Sequence, residues 1–250
     1  MDKEIRLNKY IRDSGFCSRR EADKYIEAGC VLVNKKPATI GTRVGPGDKV
    51  YINKRLIKVE EEKIYLAFNK PRGLTCTTDK RDPTNIIDYI GYPKRIFPIG
   101  RLDKDSEGLV LLTNDGDIVN RILRVGNAHS KEYIVRVDRE ITDEFLKKMS
   151  SGVRIHNTLT LPCQVKRTNK DSFRIVLIQG LNRQIRLMCE ALGYEVVSLR
   201  RLRVMGITTR GLELGSYREL GAGEVKELLK ATENSSKTEE ASILKNQKGK

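Results

Sequence analysis

Apolar residues near the N-terminus recur first with the spacing of a helix and then in short runs typical of strands. Leu7, Tyr10 and Ile11 occupy positions i, i+3 and i+4, which predicts one apolar face of a short helix. Residues 31–33 (Val-Leu-Val) and 50–52 (Val-Tyr-Ile) are rich in β-branched side chains, so each run predicts a strand. Turns are predicted at Asn34-Lys35-Lys36 and at Gly45-Pro46-Gly47-Asp48.

A second helix is predicted over residues 19–28, because both of its ends carry sequence signals. Ser18 and Glu21 have the spacing of a capping box, in which a serine oxygen and a glutamate three residues later bind free backbone N–H groups. Gly29 can adopt the left-handed conformation that ends a helix. Two helices followed by strands indicate a small separate domain over residues 1–53.

The rest of the chain mixes strands and helices. Residues 54–62 are dense in charge and predict a linker. Strands are predicted at 64–68, 109–113, 133–137 and 173–178, and helices near 117–125, 142–151, 182–192 and 222–232. Because the two types do not strictly alternate, an α+β fold is favoured over a doubly wound sheet. Residues 63–232 are therefore assigned to a second domain, and residues 233–250, with few apolar side chains, to a disordered tail.

Basic residues outnumber acidic residues along the whole chain. The sequence has 48 Lys and Arg against 33 Asp and Glu, which gives a net charge of +15. Residues 1–60 hold 14 basic and 8 acidic side chains, and the other 34 basic and 25 acidic side chains follow. This surplus favours a polyanionic partner, because neutralised phosphates release bound counterions. An ordinary basic enzyme is the alternative that charge alone leaves open.

Cysteine and histidine spacing indicates neither a metal site nor a disulfide framework. The five cysteines include no CxxC pair, and His129 and His156 are too far apart for zinc-ligand spacing. An odd number of cysteines without a secretory signal predicts reduced thiols and a cytoplasmic protein. No apolar run approaches the roughly 20 residues of a membrane span, so no membrane association is expected.

Basic side chains cluster on and beside the two N-terminal helices. They are Arg6, Lys9, Arg12, Arg19, Arg20 and Lys24. Such helices can follow RNA phosphates, and a solvated helix face is the alternative. The segments 6–11, 15–22 and 29–34, which include Ser-Arg-Arg-Glu-Ala and Val-Leu-Val-Asn, resemble the S4 RNA-binding domain over about residues 5–52. The resemblance implies a fold that binds RNA mainly through shape and backbone, with contacts from Arg6, Lys9, Arg19 and Arg20.

Residues 100–108, Gly-Arg-Leu-Asp-Lys-Asp-Ser-Glu-Gly, predict a turn-rich loop that leads into an apolar strand. A loop held by a strand end is a common location for catalytic groups. Asp103, Asp105 and Glu107 are also spaced like the start of an EF-hand calcium loop, but Asn114 stands where that loop has a bidentate Glu. Solvated carboxylates that pair with nearby basic groups are the other alternative that the loop alone leaves open.

The same loop, with the strand that follows it, resembles a signature of pseudouridine synthases in the bacterial RsuA family, the small-subunit-type ribosomal enzymes. Gly-Arg-Leu-Asp-x-x-Ser-x-Gly-Leu-x-Leu-Leu-Thr-Asn-Asp-Gly spans residues 100–116. Further family segments occur in the family's order at residues 70–73, 131–133 and 180–188. Within the family, Asn-x-His-x-Lys-Glu-Tyr at residues 127–133 is most similar to the F-type enzymes of large-subunit ribosomal RNA. The resemblance implies a catalytic domain with a mixed, mainly antiparallel sheet.

Roles for individual residues follow from this resemblance. Asp103 matches the family's essential catalytic aspartate, Arg186 its cationic partner, and Tyr133 the ring that stacks on the uracil. Arg101 is expected to help extrude or replace the target base. Phosphate contacts beside the pocket are expected from Lys70, Arg72 and Arg183.

Alternatives stay open for several of these residues. Tyr133 is equally compatible with a core aromatic in an alternating strand. Arg183 and Arg186 are three positions apart on a predicted helix, so they are expected to share one face. The alternative to a role at the pocket is that both belong to an ordinary basic helix surface.

The implied reaction breaks the uracil N1–C1′ bond, turns the base and joins C5 to C1′. No atoms are gained, so no redox cofactor is required, and neither a cofactor nor a metal is expected. Asp103 could attack ribose C1′, attack base C6 or remove the ribose 2′ proton, and these three roles stay open. The base must leave its stack to react, and a loop or bulge in the RNA lowers the free energy of that step.

The expected partner is structured RNA, and the subtype resemblance favours a stem-loop of 23S ribosomal RNA. Alternative substrates are 16S ribosomal RNA and a tRNA anticodon arm. A non-catalytic ribosome-assembly factor is the alternative outside enzymes; it would keep the basic helices and lose the acid. A monomer is expected because no heptad pattern or long apolar edge is apparent.

Overall fold

The computed structural model describes residues 4–59, 62–124, 128–233 and 235. The chain divides into two compact units. The first consists of the chain up to Ile64 with residues 92–96 and 114–116, and the second consists of 65–91, 97–113 and the chain from 117 onward. Most of the predicted tail, residues 234 and 236–250, lies outside the described residues, as does Asn127.

Two helices and six short strands form the N-terminal part. They are β1 Ile5–Arg6, α1 Leu7–Asp13, α2 Arg19–Glu27, β2 Val31–Val33, β3 Lys36–Pro37, β4 Arg43–Val44, β5 Val50–Ile52 and β6 Arg55–Ile57. Both predicted helices are confirmed. The capping box of α2 is formed, because Ser18 Oγ accepts from the Glu21 N–H and the Glu21 carboxylate accepts from the Ser18 N–H. Strands pair in the order β3-β2-β5-β6, and the apolar faces of α1 and α2 pack into one core with them.

The strand β6 corrects the prediction that all of residues 54–62 are linker. Asn53 and Lys54 adopt left-handed conformations, with φ of 48° and 65°, and return the chain so that Arg55–Ile57 pairs with β5. In this edge strand Arg55 and Leu56 are exposed and only Ile57 is buried. The segment therefore has the polar composition of a linker although it is paired.

The remaining elements of the described residues are one large sheet, a separate two-stranded sheet formed by the fifth and sixth strands given next, and five helices. The strands are β7 Tyr65–Lys70, β8 Phe97–Ile99, β9 Glu107–Thr113, β10 Lys131–Val137, β11 Arg154–Ile155, β12 Thr158–Leu159, β13 Gln164–Asn169, β14 Ser172–Leu177, β15 Val196–Val204, β16 Ile207–Thr208 and β17 Tyr217–Glu219. The helices are α3 Ile86–Ile90, α4 Gly116–Leu123, α5 Asp143–Ser151, α6 Gln184–Ala191 and α7 Ala222–Glu233.

Nine strands join the large sheet, and its main path runs β13-β14-β10-β15-β9-β7-β17. Among the strand pairs of the described residues, β9 and β15 are parallel and the others are antiparallel. The predicted α+β class with a mixed, mainly antiparallel sheet is thereby confirmed. All six residues of β7 and six of the seven in β9 are buried, so these strands form the centre of the core.

Candidate active site

The loop before β9 and the N-terminal end of α6 face each other across a pocket. About 450 Å³ of space in this pocket is free of protein atoms. Eight of the residues that line it have polar or aromatic side chains: Arg101, Asp103, Ser106, Tyr133, Gln179, Arg183, Gln184 and Arg186. The structure thus brings together the predicted catalytic residues from three separate segments of the chain.

A row of laterally paired residues across the sheet explains how these segments meet. Tyr133 on β10 pairs with Arg201 on β15, Arg201 pairs with Gly108 on β9, and Gly108 pairs with Lys70 on β7. Gly108 has φ 107°, and a Cβ atom there would lie 2.2 Å from the Arg201 carbonyl oxygen. Only glycine allows this approach, so Gly108 fixes where the Asp103 loop joins the sheet.

Arg201 is buried beneath the loop and binds both of its ends. Its Nε donates to the Leu109 carbonyl at 2.6 Å and its Nη1 to the Arg101 carbonyl at 3.4 Å. Within the loop, the Ser106 N–H donates to the Asp103 carbonyl at 3.0 Å. These contacts hold the backbone on either side of Asp103.

Two guanidinium groups lie beside the Asp103 carboxylate. Arg186 Nε is 3.9 Å and Arg183 Nη1 is 3.8 Å from Asp103 Oδ2, which are ion-pair distances too long for hydrogen bonds. Arg186 Nε is also buried without a hydrogen-bond partner among the described residues. The carboxylate of Asp103 is therefore within reach of positive charge without being tied to one donor.

The two Nη atoms of Arg186, unlike its Nε, are held by hydrogen bonds. Its Nη1 donates to the Val196 carbonyl at 3.2 Å, and its Nη2 donates to Ser106 Oγ at 3.2 Å. Burial lowers the pKa of the Arg186 guanidinium, and Arg183 lowers it further, while the attraction of Asp103 opposes both. Arg186 is thus a fixed, partly desolvated cation facing the pocket.

Arg183 departs from the prediction that it shares a helix face with Arg186. The helix α6 begins at Gln184, and Arg183 precedes it in a left-handed conformation with φ 49°. Its side chain is 46% exposed, against 14% for Arg186. The left-handed turn redirects Arg183, so the helical spacing that relates positions i and i+3 does not apply to it.

Tyr133 forms part of the pocket wall and of the sheet at once. It is 9% exposed and lies on a strand in which buried and less buried residues alternate. The register of β10 against β15 shifts between Glu132 and Tyr133. Such an irregularity changes the direction of a side chain, and it occurs here beside the pocket.

Lys70 corrects an expectation, because it is fully buried and is not available to bind phosphate. Its Nζ donates to the carbonyl oxygens of Ser106 at 2.8 Å, Pro71 at 2.9 Å and Lys104 at 3.4 Å. Burial lowers the pKa of its ammonium group. Lys70 supports the Asp103 loop from inside the domain.

The other predicted RNA contacts are accessible. Arg101 and Arg72 are exposed, and Arg72 Nη2 donates to the Val197 carbonyl at 3.2 Å. In the N-terminal unit Arg6, Arg19 and Arg20 are exposed and Lys9 is half-buried. Another basic residue of that cluster, Arg12, pairs instead with Asp13.

The sequence reasoning missed Gln179, which lines the pocket, and Arg201, which holds the Asp103 loop. Gln179 is a single polar residue outside every recognised segment, and Arg201 belongs to an arginine-rich run that did not predict a strand. Their importance comes from partners that are distant in sequence, so a local pattern could not reveal it.

Among the described residues, no three His, Cys, Asp or Glu side chains come together as a metal-binding group. Asp103 and Asp105, which opened the calcium-loop alternative, both lie within 4.0 Å of Arg183. Within the same ranges, none of the helices combines the length and the apolar character needed to cross a bilayer.

Comparison with known proteins agrees with this geometry. Residues 5–50 match the S4 domain. The chain is 54% identical to the dual-specificity RNA pseudouridine synthase RluF of Escherichia coli K12, over 94% of this chain and 82% of that protein. It is 37% identical to ribosomal large subunit pseudouridine synthase B of Bacillus subtilis, over 89% of this chain and 95% of that protein.

A solved structure has the same fold over almost its whole length. The crystal structure of a pseudouridylate synthase superposes with a TM-score of 0.66 at 28% identity, covering 90% of this chain and 99% of the other. Residues 64–191, which include the Asp103 loop, Tyr133 and Arg186, match the RNA pseudouridylate synthase family. With its N-terminal S4 domain, this chain belongs to that family, and it is a pseudouridine synthase that acts on RNA.

Proposed function

We propose that the protein isomerises a specific uridine of 23S ribosomal RNA to pseudouridine, with Asp103 as the catalytic residue. The observation that carries this proposal is the position of the Asp103 carboxylate, which shares one pocket with Tyr133 and lies within 4 Å of two guanidinium groups. A carboxylate in such surroundings can act as nucleophile or base, because nearby positive charge stabilises its anion.

The roles of the neighbouring residues follow from their contacts. Tyr133 offers a flat ring in the pocket wall on which an extruded uracil can stack. Arg186, fixed by Val196 and Ser106, holds positive charge beside the carboxylate. Arg101 is exposed at the pocket and can fill the space that the extruded base leaves in the RNA.

The choice of RNA rests on the relatives and on the charge of the chain. The Bacillus subtilis relative is named for the large ribosomal subunit, and the Escherichia coli relative for dual specificity. We therefore assign 23S RNA as substrate and a tRNA anticodon arm as a second substrate. The exposed Arg6, Arg19 and Arg20 of the N-terminal unit supply phosphate contacts. The protein acts as a cytoplasmic monomer in this scheme and needs no cofactor, since substrate and product are isomers and the C5 hydrogen is replaced by a proton at N1.

The test is release of tritium from 23S transcripts labelled at uracil C5, incubated with the wild type and with Asp103→Asn. Joining C5 to C1′ expels the C5 hydrogen, so each turnover places one tritium in water. We expect release by the wild type and none by Asp103→Asn, with RNA binding retained. Lys104→Gln, an exposed neighbour in the same loop, is the matched control and should stay active.

Other outcomes would redirect the proposal. Release from 16S RNA or tRNA but not from 23S RNA would keep the chemistry and overturn the substrate. Tight RNA binding without release from any transcript or ribosomal subunit would indicate an assembly factor instead.

A further inference from the structure

Gln179 lines the pocket, and the orientation of its amide is set by its neighbours. Gln179 Oε1 accepts from the Leu161 N–H at 3.2 Å and from Gln184 Nε2 at 3.3 Å. Gln184 is itself fixed, since its Oε1 accepts from the Leu181 N–H at 3.0 Å. Backbone N–H groups can only donate, so both amide oxygens must face them. Each amide therefore has one possible orientation.

This orientation leaves the Nε2 group of Gln179 as a free donor. It makes no hydrogen bond within the described residues, and it is not one of their buried unpartnered polar atoms. Gln179 lines the same pocket as Asp103 and Tyr133. A primary amide carries two N–H groups, and a base that enters the pocket can meet them with a carbonyl oxygen.

We propose that Gln179 recognises the target uracil by donating from Nε2 to a base carbonyl, before and after the base turns. The inference rests on the proposed function. Uracil has N3 opposite C6 in its ring, so rotation about the N3–C6 axis exchanges N1 with C5 and also exchanges O2 with O4. A donor that meets one carbonyl in the substrate orientation therefore meets the other carbonyl in the product orientation.

Such a donor selects uracil without resisting the rotation. Cytosine carries an amino group in place of O4, so it offers a carbonyl in only one of the two orientations and opposes donor to donor in the other. A donor that the bound base covers and leaves without an acceptor penalises that base strongly. Gln179 is thus a specificity-determining residue, and the hydrogen bond from Gln184 holds its amide in place.

The test combines sulfur substitution in the RNA with substitution of the enzyme. Once the target uridine is mapped, it is replaced by 2-thiouridine or by 4-thiouridine, because sulfur is a weaker acceptor than oxygen. Single-turnover rates and dissociation constants are measured for wild type, Gln179→Glu and Gln164→Glu. Gln179→Glu keeps both accepted hydrogen bonds and removes the donor. Gln164 is exposed on β13, so Gln164→Glu controls for added negative charge.

Both thio substitutions should slow the wild type by about three- to tenfold, the effect of one hydrogen bond. Gln179→Glu should slow the uridine substrate by roughly ten- to a hundredfold and show no further thio effect. Gln164→Glu should behave as the wild type does. Equal thio effects in the wild type and Gln179→Glu would overturn the inference.

Two controls distinguish failure of this inference from misfolding of the variant and from failure of the proposed function. If Gln179→Glu does not fold, as judged by thermal unfolding, the thio series on the wild type decides alone: no slowing by either sulfur overturns the proposal. If the wild type releases no tritium from any unmodified RNA, the proposed function fails rather than the role of Gln179.

Discussion

Lys131 begins β10 two residues before Tyr133, and its ammonium group is buried without a carboxylate partner among its described contacts. It is 7% exposed, and its Nζ donates a long hydrogen bond to the His129 carbonyl at 3.5 Å. Burial, together with the smaller effect of the charge on Arg201, lowers the pKa of Lys131 from 10.5 to about 8. We therefore predict that Lys131→Met, which keeps the length of the side chain and removes the charge, stabilises the fold at neutral pH.

The magnitude follows from the pKa change. A shift from 10.5 to about 8 is roughly 2.5 units, and at 1.36 kcal/mol per unit it corresponds to about 3 kcal/mol. Between these two pKa values the unfolded chain binds more protons than the folded chain, so the wild type gains stability as pH rises from 8 to 10.5. Below pH 8 the charge is present in both states, and the full penalty of burying it applies.

Urea unfolding at pH 7, 9 and 10.5 measures the effect. The free energy of unfolding of Lys131→Met should exceed that of the wild type by about 3 kcal/mol at pH 7. The difference should shrink steadily towards pH 10.5. Lys147→Met, an exposed lysine on α5, should differ from the wild type by a small amount that does not depend on pH. A stability difference for Lys131→Met that is constant across these pH values would refute the reasoning.

Three further predictions concern the loop, the N-terminal domain and the two arginines. Gly108→Ala should lower stability by about 2–3 kcal/mol in thermal unfolding and abolish turnover, because its Cβ would lie 2.2 Å from a backbone oxygen. The control Gly41→Ala also has a positive φ but has open space around it, so it should show only the smaller penalty of backbone strain. Ser18→Ala should lower the stability of the N-terminal domain by about 1 kcal/mol in urea, since it removes one half of the capping box. Arg186→Ala should reduce tritium release by about a hundredfold with modest loss of RNA affinity, while Arg183→Ala should weaken RNA binding more; equal effects of the two would contradict this division.

Local signals in the sequence predicted most of the helices and the strand that follows the Asp103 loop. The capping box at Ser18 and the left-handed Gly29, with φ 70°, mark the ends of α2 as expected. The Asp103 loop was expected to lead into a buried strand, and β9 follows it. These features depend on neighbours within a few residues, so they can be read from the chain directly.

Other features depend on contacts that are distant in the chain. The strand β15 was not predicted, because Arg200, Arg201 and Arg203 give it the composition of a surface segment, although Arg201 is buried. Lys70 was expected at a phosphate from the family resemblance, and it instead binds carbonyl oxygens more than thirty residues away. A buried cation is recognised only when its partners are known, since lysine and arginine are otherwise mostly exposed.

The parallel pairing of β9 with β15 determines when the pocket can exist during synthesis of the chain. The strand that carries Tyr133 and the strand that follows Asp103 are not neighbours; β15 lies between them in the sheet. A nascent chain that has emerged only as far as α6 already contains Asp103, Tyr133 and Arg186, yet it lacks the strand that sets them side by side. We therefore expect the pocket to form only after Arg201 has left the ribosome, and we expect a chain truncated before this residue to be inactive although it retains all three groups.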